Sequence, residues 1–300
     1  MLEDAHLHFF SKGVLAFYGR QVEALKDELD PAAAAAAQLG LEAPAAEPEA
    51  LAARWIAELD SHGVSRAALF GSAPGEQSTV ARAARAFPDR LLPFQMLNPR
   101  GADVAGVLRS VAENELRGVL LFPAMHGYYP DDAVCRPVYE AAREHGLVVF
   151  VHLGRLKIAI RDKLGIAGTI DERFGDPTRL APVLREHAEV PFIVPHFGCG
   201  TLAQLLPVIR GVRNLYLDTS SSNAWMADSP YRDLATVFRT VLDCADLGPE
   251  RILFGSDSTT FPRGWRSDVY ETQRAALEAV KASALERDAI FGGNLRRLVP

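Results

Sequence analysis

The sequence predicts an α/β fold, namely a (β/α)8 TIM barrel with insertions after strands 1 and 5. The first observation is that eight short apolar segments alternate with eight segments of helical spacing. The second is that neither GxGxxG nor GxxxxGK[ST] follows the first apolar segment, which disfavours the doubly wound nucleotide-binding sheet that shares this alternation. The length of 300 residues suits either two domains or one barrel, so length does not distinguish these architectures.

The predicted strands are short apolar segments that end at polar or turn residues. Stretches such as "GLVVFV" and "RILFG" are continuously apolar, as is typical of parallel strands buried on both faces. The eight predicted strands are Leu2 to His8, Ser65 to Phe70, Leu91 to Leu97, Gly118 to Phe122, Leu147 to His152, Phe192 to His196, Leu215 to Asp218 and Ile252 to Asp257.

The predicted helices fill the intervals between these strands. They are Ala50 to His62, Glu76 to Phe87, Ala102 to Leu116, Ala133 to His145, Pro177 to His187, Thr201 to Val212, Tyr231 to Asp246 and Asp268 to Ser283. The C-terminal "IFGGNLRRLV" follows the eighth helix, and we expect it to form a final helix that closes the base of the barrel.

Two long excursions follow strands, and active sites of such barrels are built from the loops after strands. Residues 9–49 include an alanine-rich run interrupted by prolines, which predicts a helical flap with a loose, structural linker. Residues 153–176 contain Arg155, Lys157 and Arg161 and form a candidate lid. Residues 1–300 are therefore expected to be a single domain.

Composition and charge exclude several classes of protein. With 48% hydrophobic and 23% charged residues, the chain resembles an ordinary globular protein with a large core. The net charge of −6 and the lack of a basic block argue against nucleic acid as a partner. No secretory signal or apolar run of membrane-spanning length is present, and the three widely spaced cysteines suit reduced thiols. We therefore expect a cytoplasmic protein that neither spans nor binds a membrane.

The stretch "DAHLHFF" in the first predicted strand places two imidazoles one residue apart. Residues i and i+2 of a strand point to the same face, so His6 and His8 are expected to project together. Two convergent imidazoles form half of a metal site. The alternative is a pair of polar residues where the strand reaches solvent.

Further polar residues end other predicted strands, and side chains at these ends meet above the barrel core. They are His152 in "VFVHLG", His196 in "FIVPHFG", Asp218 in "LYLDTSS" and Asp257 in "ILFGSDS". Imidazole and carboxylate together suit zinc and related divalent ions, so the predicted ligands are His6, His8, His152 and Asp257. Asp257 is also a plausible proton shuttle, and we favour a catalytic role without metal ligation for His196. Taken alone, His152 could be a core histidine and Asp257 a turn cap.

These motifs resemble the amidohydrolase superfamily, and within it the amidohydrolase-related branch that includes aminocarboxymuconate semialdehyde decarboxylase. The resemblance extends from "DAHLHFF" to "IFGGNLRRL" and implies a cofactor of one divalent metal ion, zinc or alternatively manganese, together with a homodimer. Binuclear members carry a lysine at the end of the fourth strand, whereas "GVLLFP" offers none, which favours a single metal. Whether His126 or Asp218 joins the site is left open.

Basic and aromatic side chains follow the fifth and eighth predicted strands. Arg155 and Lys157 follow the fifth, and Arg263, Trp265 and Arg266 lie in "FPRGWRSD" after the eighth. Guanidinium groups bind carboxylates in a bidentate manner and aromatic faces stack on planar molecules, so we predict a small, planar, carboxylated substrate. The alternative is that the arginines pair with acidic neighbours, namely Asp162, Glu172 and Asp268.

Three functions are compatible with this set of residues. The first, which we choose, is a mononuclear hydrolase that uses a metal-activated water. The second is a non-oxidative decarboxylase with the same metal site. The third is a barrel that binds a ligand without catalysis, although four histidines and an aspartate at the strand ends argue against it.

Overall fold

A computed structural model describes residues 1–168 and 170–300, which form a nearly closed barrel of eight parallel strands alternating with helices, as predicted. Each strand pairs with the next in sequence. The last strand returns to the first through the hydrogen bond from the Ala5 amide to the Phe254 carbonyl, at 2.8 Å. The strands are β1 (Leu2–Phe9), β2 (Val64–Gly71), β3 (Leu91–Leu97), β4 (Gly118–Leu121), β5 (Val148–Val151), β6 (Phe192–Val194), β7 (Leu215–Asp218) and β8 (Ile252–Leu253).

Every predicted helical segment contains a helix. The helices of the described residues are α1 (Lys12–Gly19), α2 (Pro31–Leu39), α3 (Pro48–Ser61), α4 (Gln77–Ala86), α5 (Val104–Glu113), α6 (Pro123–His126), α7 (Arg136–His145), α8 (Ala159–Leu164), α9 (Ala181–Glu186), α10 (Leu202–Val208), α11 (Leu234–Leu242), α12 (Ser267–Ala279), α13 (Ala284–Asp288) and α14 (Asn294–Leu298). Within residues 1–168 and 170–300, none of the helices combines the length and apolar character needed to cross a bilayer.

Strands β6 and β8 are shorter than predicted, and the reason lies in the backbone of the residues that follow them. The sequence predicts strands that reach His196 and Asp257. The structure gives these two residues φ values of 57° and 59°, which lie outside the β region. The backbone therefore departs from the extended conformation at each of these residues, although after β8 it still bonds β1 through the Asp257 amide and the Ser258 carbonyl, and the turns place both groups above the barrel.

The core has two layers separated by the sheet. Inside the barrel, Phe70, Phe94 and Phe150 contact one another with centroids 4.9 to 5.5 Å apart. Outside it, a larger apolar cluster fills the space between strands and helices. Because both faces are buried, the strands need apolar side chains on both sides, which explains the continuous apolar runs of the sequence.

The C-terminal segment closes the base of the barrel, as predicted. Leu295 and Val299 of this segment pack into the apolar cluster inside the barrel. The Asn294 side chain donates hydrogen bonds to the carbonyls of Pro249 and Ile252, both at 2.7 Å. These contacts place the open end of the barrel at the carboxyl ends of the strands.

The two excursions pack against each other at that open end. Helices α1 and α2 belong to the first excursion, and α8 belongs to the second. Ile160 of α8 contacts the apolar clusters that α1 and α2 form, and Leu164 packs beside Val14 and Tyr18. The first excursion, which the sequence predicts to be a helical flap with a loose linker, thus also supports the second excursion.

Candidate metal centre and active site

Strand β1 carries His6 and His8 side by side at the open end, as the sequence predicts. Their ring centroids lie 5.0 Å apart. The pairing of β1 with β2 shifts register between Asp4 and Leu7, a bulge that the alternation of the sequence does not reveal. Across this bulge Ala5 packs inside the barrel whereas Leu7 joins the outer cluster, and Asp4 bonds the loop after β8.

One nitrogen of each imidazole is held by a buried partner. His6 Nδ1 lies 2.6 Å from Asp218 Oδ2, and both residues are at most 1% exposed. His8 Nδ1 lies 2.7 Å from Ser72 Oγ. The Ser72 hydroxyl donates to the Phe70 carbonyl at 3.1 Å, so it accepts from His8 Nδ1. Both neutral rings therefore hold their proton on Nδ1 and present a lone pair at Nε2.

These lone pairs converge with a carboxylate. His6 Nε2 and His8 Nε2 are 3.2 Å apart, and His8 Nε2 is 3.4 Å from Asp257 Oδ1. One ligand atom from each of the three residues lies within 4.8 Å of the other two. Hydrogen-bond acceptors at these distances repel one another unless a cation lies between them. The residues present therefore fit a divalent metal ion.

The pKa shifts of His6 and Asp218 also indicate that the centre favours positive charge. Burial disfavours the charged form of His6, but the charge and hydrogen bond of Asp218 outweigh it and raise the pKa of His6. Burial likewise disfavours the Asp218 carboxylate, yet His6 holds the pKa of Asp218 below its usual value. Burial lowers the pKa of His8, which favours the neutral form of the ring that acts as a ligand.

The turn after β8 places Asp257 over the barrel. The Asp257 amide donates to the His6 carbonyl at 2.9 Å. Close packing beneath the turn requires Gly255, because a Cβ at that position would lie 2.9 Å from the Cβ of His6 and 2.9 Å from the Cβ of Ser220. The "FGSDS" motif thus fixes Asp257 and leaves room for the His6 ring.

A buried carboxylate behind the centre ties β1 to this turn. Asp4 accepts hydrogen bonds from the Ser256 amide at 2.9 Å, the Ser256 hydroxyl at 2.5 Å and Trp265 Nε1 at 2.8 Å. Burial nevertheless raises the pKa of Asp4 to about 6. Trp265 is 4% exposed and contacts Asp4 rather than the cavity. The prediction that Trp265 stacks on substrate is therefore corrected, because its polar atom is committed to Asp4.

His152 and His196 lie beside the acceptor cluster. The His196 ring is 5.0 Å from the His152 ring and 5.2 Å from the His6 ring. Burial lowers the pKa of both, and that of His152 falls well below its usual value. His152 Nδ1 is buried without a hydrogen-bond partner among the described residues. His152 is not in the set of three within 4.8 Å, so its predicted ligation depends on a displacement of its ring toward the ion.

A cavity of about 600 Å³ lies above this cluster, and its wall combines apolar and basic side chains. The apolar part includes Phe10, Tyr18 and Leu39 of the first excursion and Leu156 and Ile160 of the second. Four basic residues line the cavity. Among the described residues, Asp257 is the one acidic residue that lines it. The basic residues are Lys157, Lys163, Arg263 and Arg266. A chain of net negative charge thus has a cavity with excess positive charge, which suits an anionic ligand.

The predicted substrate residues divide into two groups. Lys157, Arg263 and Arg266 line the cavity. Arg155 instead forms an ion pair with Asp228 at 2.5 Å and does not line the cavity, so its predicted contact with substrate is corrected. Arg266 is partly engaged by Asp268 at 2.6 Å, which is one of the pairings that the sequence leaves open.

Arg263 is the guanidinium best placed to receive an anion. Its side chain lines the cavity and remains accessible to solvent, it donates to Thr259 Oγ1 at 2.7 Å, and it forms no ion pair in the described part of the chain. Burial, together with the positive charge of Arg266, lowers the pKa of Arg263. A guanidinium that lines the cavity without a counter-ion is available to bind an anionic ligand.

His126 lies outside the centre. Its neighbour Met125 lines the cavity, whereas the His126 ring stacks beside Tyr128 with centroids 6.4 Å apart. His126 Nδ1 is buried and unpaired among the described residues, and burial lowers the pKa of His126 to about 4. The structure thus places His126 outside the centre, as a neutral ring beside Tyr128 in the segment after β4.

We expect the free energy of unfolding to fall more steeply with acidification in the wild type than in His126→Gln. The unfolded chain binds a proton near pH 6.5 and the folded chain only near pH 4, so acid favours unfolding across this interval. Between pH 7 and pH 5 the wild type should lose about 1 to 2 kcal/mol more than the variant. Urea titrations at both pH values measure this difference. His145→Gln, at an exposed position, is the control; equal slopes for the wild type and His126→Gln would contradict the assignment.

Sequence reasoning missed the residues that orient the histidines. Ser72 follows β2 and holds His8, and Ser220 follows β7 with its Oγ 2.8 Å from His196 Nδ1. Lys163 of the cavity wall was also missed. Serines at strand ends are common, so only the position of Ser220 two residues after Asp218 could have indicated a role.

A (β/α)8 barrel with imidazole and carboxylate ligands at the carboxyl ends of its strands defines the class of metal-dependent barrel enzymes. A family model described as "Amidohydrolase" matches residues 4–300. The chain belongs to this amidohydrolase family, as its motifs predict. A comparison with curated proteins gives no match.

Several solved structures share the fold over nearly the whole chain. An uncharacterised TIM-barrel protein from Bordetella bronchiseptica is 18% identical with a TM-score of 0.67, covering 99% of this chain and 97% of that one. A 5-carboxyvanillate decarboxylase from Novosphingobium aromaticivorans, complexed with manganese and a nitrobenzoic acid, is 17% identical with a TM-score of 0.63, covering 99% and 96%. A probable 2-pyrone-4,6-dicarboxylic acid hydrolase from Acinetobacter baumannii with citric acid bound is 16% identical with a TM-score of 0.60, covering 99% and 98%. At these identities the similarity establishes the fold.

Proposed function

We propose that the protein is a mononuclear metal-dependent hydrolase that acts on a small, planar, carboxylated substrate. The observation that carries this proposal is the convergence of His6 Nε2, His8 Nε2 and Asp257 within 4.8 Å at the floor of the cavity, with the outer nitrogens held by Asp218 and Ser72. His152 completes the proposed ligand set. The nitrogen and oxygen donors fit zinc, and manganese is compatible with the same groups.

A bound divalent cation would act as a Lewis acid and lower the pKa of water to about 7. In hydrolysis, the Asp257 carboxylate accepts a proton from the attacking water and returns it to the leaving group. His196 faces the substrate oxygen that gains negative charge. Arg263 holds a substrate carboxylate, and the apolar residues of the two excursions exclude bulk water. We also propose that residues 153–176 act as a lid, since Leu156 to Ile160 line the cavity.

Non-oxidative decarboxylation is the second candidate, because a cavity whose basic side chains outnumber its acidic ones also suits an aryl carboxylate as substrate. In that reaction the bond between the carbon skeleton and the carboxylate breaks, carbon dioxide departs, and a proton takes the electron pair left on carbon. The neighbours named as a decarboxylase and as a probable hydrolase support both candidates equally.

A panel of lactones and aryl carboxylates tests the two candidates directly. The zinc- or manganese-loaded protein is incubated with each compound while acid production and carbon dioxide release are recorded in parallel. The proposed hydrolase releases acid from a carboxylated lactone without carbon dioxide. Carbon dioxide from an aryl carboxylate would replace the hydrolase with the decarboxylase, and the absence of both products would contradict the proposal.

We expect Arg263→Gln to raise the KM for a carboxylated substrate by about 10- to 100-fold, because a hydrogen-bonded ion pair is lost. The KM for the corresponding methyl ester should change little. Steady-state kinetics on the acid and ester measure the effect. Arg155→Gln is the matched control, since Arg155 is exposed and pairs with Asp228 outside the cavity. Equal KM changes for the acid and the ester would contradict the anchor.

A further inference from the structure

Ser220 lies between two histidines of the centre. It follows β7 by two residues and is 0% exposed. Its Oγ is 2.8 Å from His196 Nδ1 and 3.3 Å from His6 Nδ1. A single hydroxyl hydrogen must therefore be assigned to one of two ring nitrogens.

The hydrogen bonds of Asp218 determine which ring nitrogen of His6 carries the proton. Asp218 Oδ2 lies 2.6 Å from His6 Nδ1, and Asp218 Oδ1 accepts from the Ser220 amide at 2.6 Å. A carboxylate so close to an unprotonated nitrogen would place two acceptors in contact, so His6 Nδ1 carries a proton and donates it to Asp218. This nitrogen consequently offers no lone pair to the Ser220 hydroxyl.

The Ser220 hydroxyl must then donate to His196. Among the described residues, the partners of Ser220 Oγ are the two ring nitrogens, and a buried hydroxyl that donated to neither would leave its hydrogen unpaired; of the two, only His196 Nδ1 is free to accept. A neutral imidazole that accepts at Nδ1 carries its proton at Nε2. His196 also lines the cavity, and Nε2 is the ring nitrogen that the Ser220 hydroxyl does not contact.

We propose that Ser220 is a positioning residue that fixes His196 in the Nε2–H tautomer and directs this N–H into the cavity. The inference rests on the proposed function and specifies how His196 serves it. In this tautomer His196 donates a hydrogen bond to a substrate oxygen and cannot act as a base. The ligand histidines His6 and His8 are held in the opposite Nδ1–H tautomer by Asp218 and Ser72.

Nitrogen NMR of protein labelled with ¹⁵N-histidine tests this assignment, because protonated and unprotonated ring nitrogens have separate shifts. Zinc-loaded wild type is compared with His196→Gln to identify the His196 signals. We expect a single tautomer with the proton on Nε2. In Ser220→Ala we expect signals of both tautomers, with kcat lower by about tenfold and KM unchanged, because one oriented hydrogen bond is lost.

Two further variants separate positioning from general damage. Ser220→Cys keeps a weaker donor and should retain mainly the Nε2–H tautomer with an intermediate kcat. Ser222→Ala, at an exposed position in the same loop, should match the wild type in spectrum and kcat. If Ser220→Ala does not fold, the wild-type spectrum and the Ser220→Cys variant test the proposal instead.

The proposal is overturned if the wild-type proton resides on Nδ1 of His196, or if Ser220→Ala retains both the wild-type tautomer and the wild-type kcat. The spectrum is recorded without substrate, so it does not depend on which reaction the protein catalyses. A fixed Nε2–H tautomer in a protein that turns over no compound of the panel would contradict the proposed function and leave the role of Ser220 intact.

Discussion

Replacement of Asp257 with Asn is expected to lower kcat/KM by about a thousandfold, because the change removes the proposed general base and a charged ligand while keeping the shape of the side chain. The fold should survive. The Asp257 amide still donates to the His6 carbonyl, and Asn tolerates the φ of 59° at this position. Kinetics on the best compound of the panel, together with a thermal melt, measure both effects.

Asp243→Asn is the matched control for this change. Asp243 is exposed at the end of α11, beside Arg239 and outside the cavity. Its variant should keep the wild-type kcat/KM. An Asp257→Asn protein that retains more than about a tenth of wild-type activity would remove Asp257 from the proposed mechanism.

His8→Ala is expected to lower the affinity for zinc by about a hundredfold or more, since changes even to the partners of ligands lower affinity by about 10- to 100-fold. Activity should fall to the background level in the variant. A chelator should have the same effect on the wild type, and added zinc or manganese should restore activity only there. Titration against a metal indicator and elemental analysis after dialysis measure these changes.

His145→Ala controls for the general effect of losing an imidazole, because His145 is exposed at the end of α7. It should bind zinc as the wild type does. Wild-type affinity in His8→Ala, or full activity of the wild type after exhaustive chelation, would show that β1 does not hold the ion.

The barrel could be predicted from the sequence because its strands are buried on both faces. This burial requires apolar runs such as "LVVFV", and the intervening amphipathic segments are long enough for crossover helices. The ends of β6 and β8 could not be predicted, since the positive φ of His196 and Asp257 results from tertiary contacts and not from local propensity.

The site was predictable where side chains share a strand face. It was less predictable where the conformation of a loop determines the direction of a side chain. His6 and His8 meet because both lie on β1, whereas Trp265 and Arg155 lie in loops whose direction the sequence does not specify. Trp265 turns toward Asp4 because a buried carboxylate requires donors, and Arg155 turns toward Asp228 at the surface. The serines that orient the rings contact histidines far apart from them in sequence, so the sequence offers only one signal for them, namely the position of Ser220 two residues after Asp218.

An anomalous difference map from crystals grown with zinc, recorded on both sides of the zinc absorption edge, tests the central claim most directly. We predict one peak about 2.0 to 2.2 Å from His6 Nε2, His8 Nε2 and an Asp257 oxygen, with His152 turned toward it. A catalytically active crystal with no peak between these three side chains, or with the ion bound elsewhere in the cavity, would contradict it.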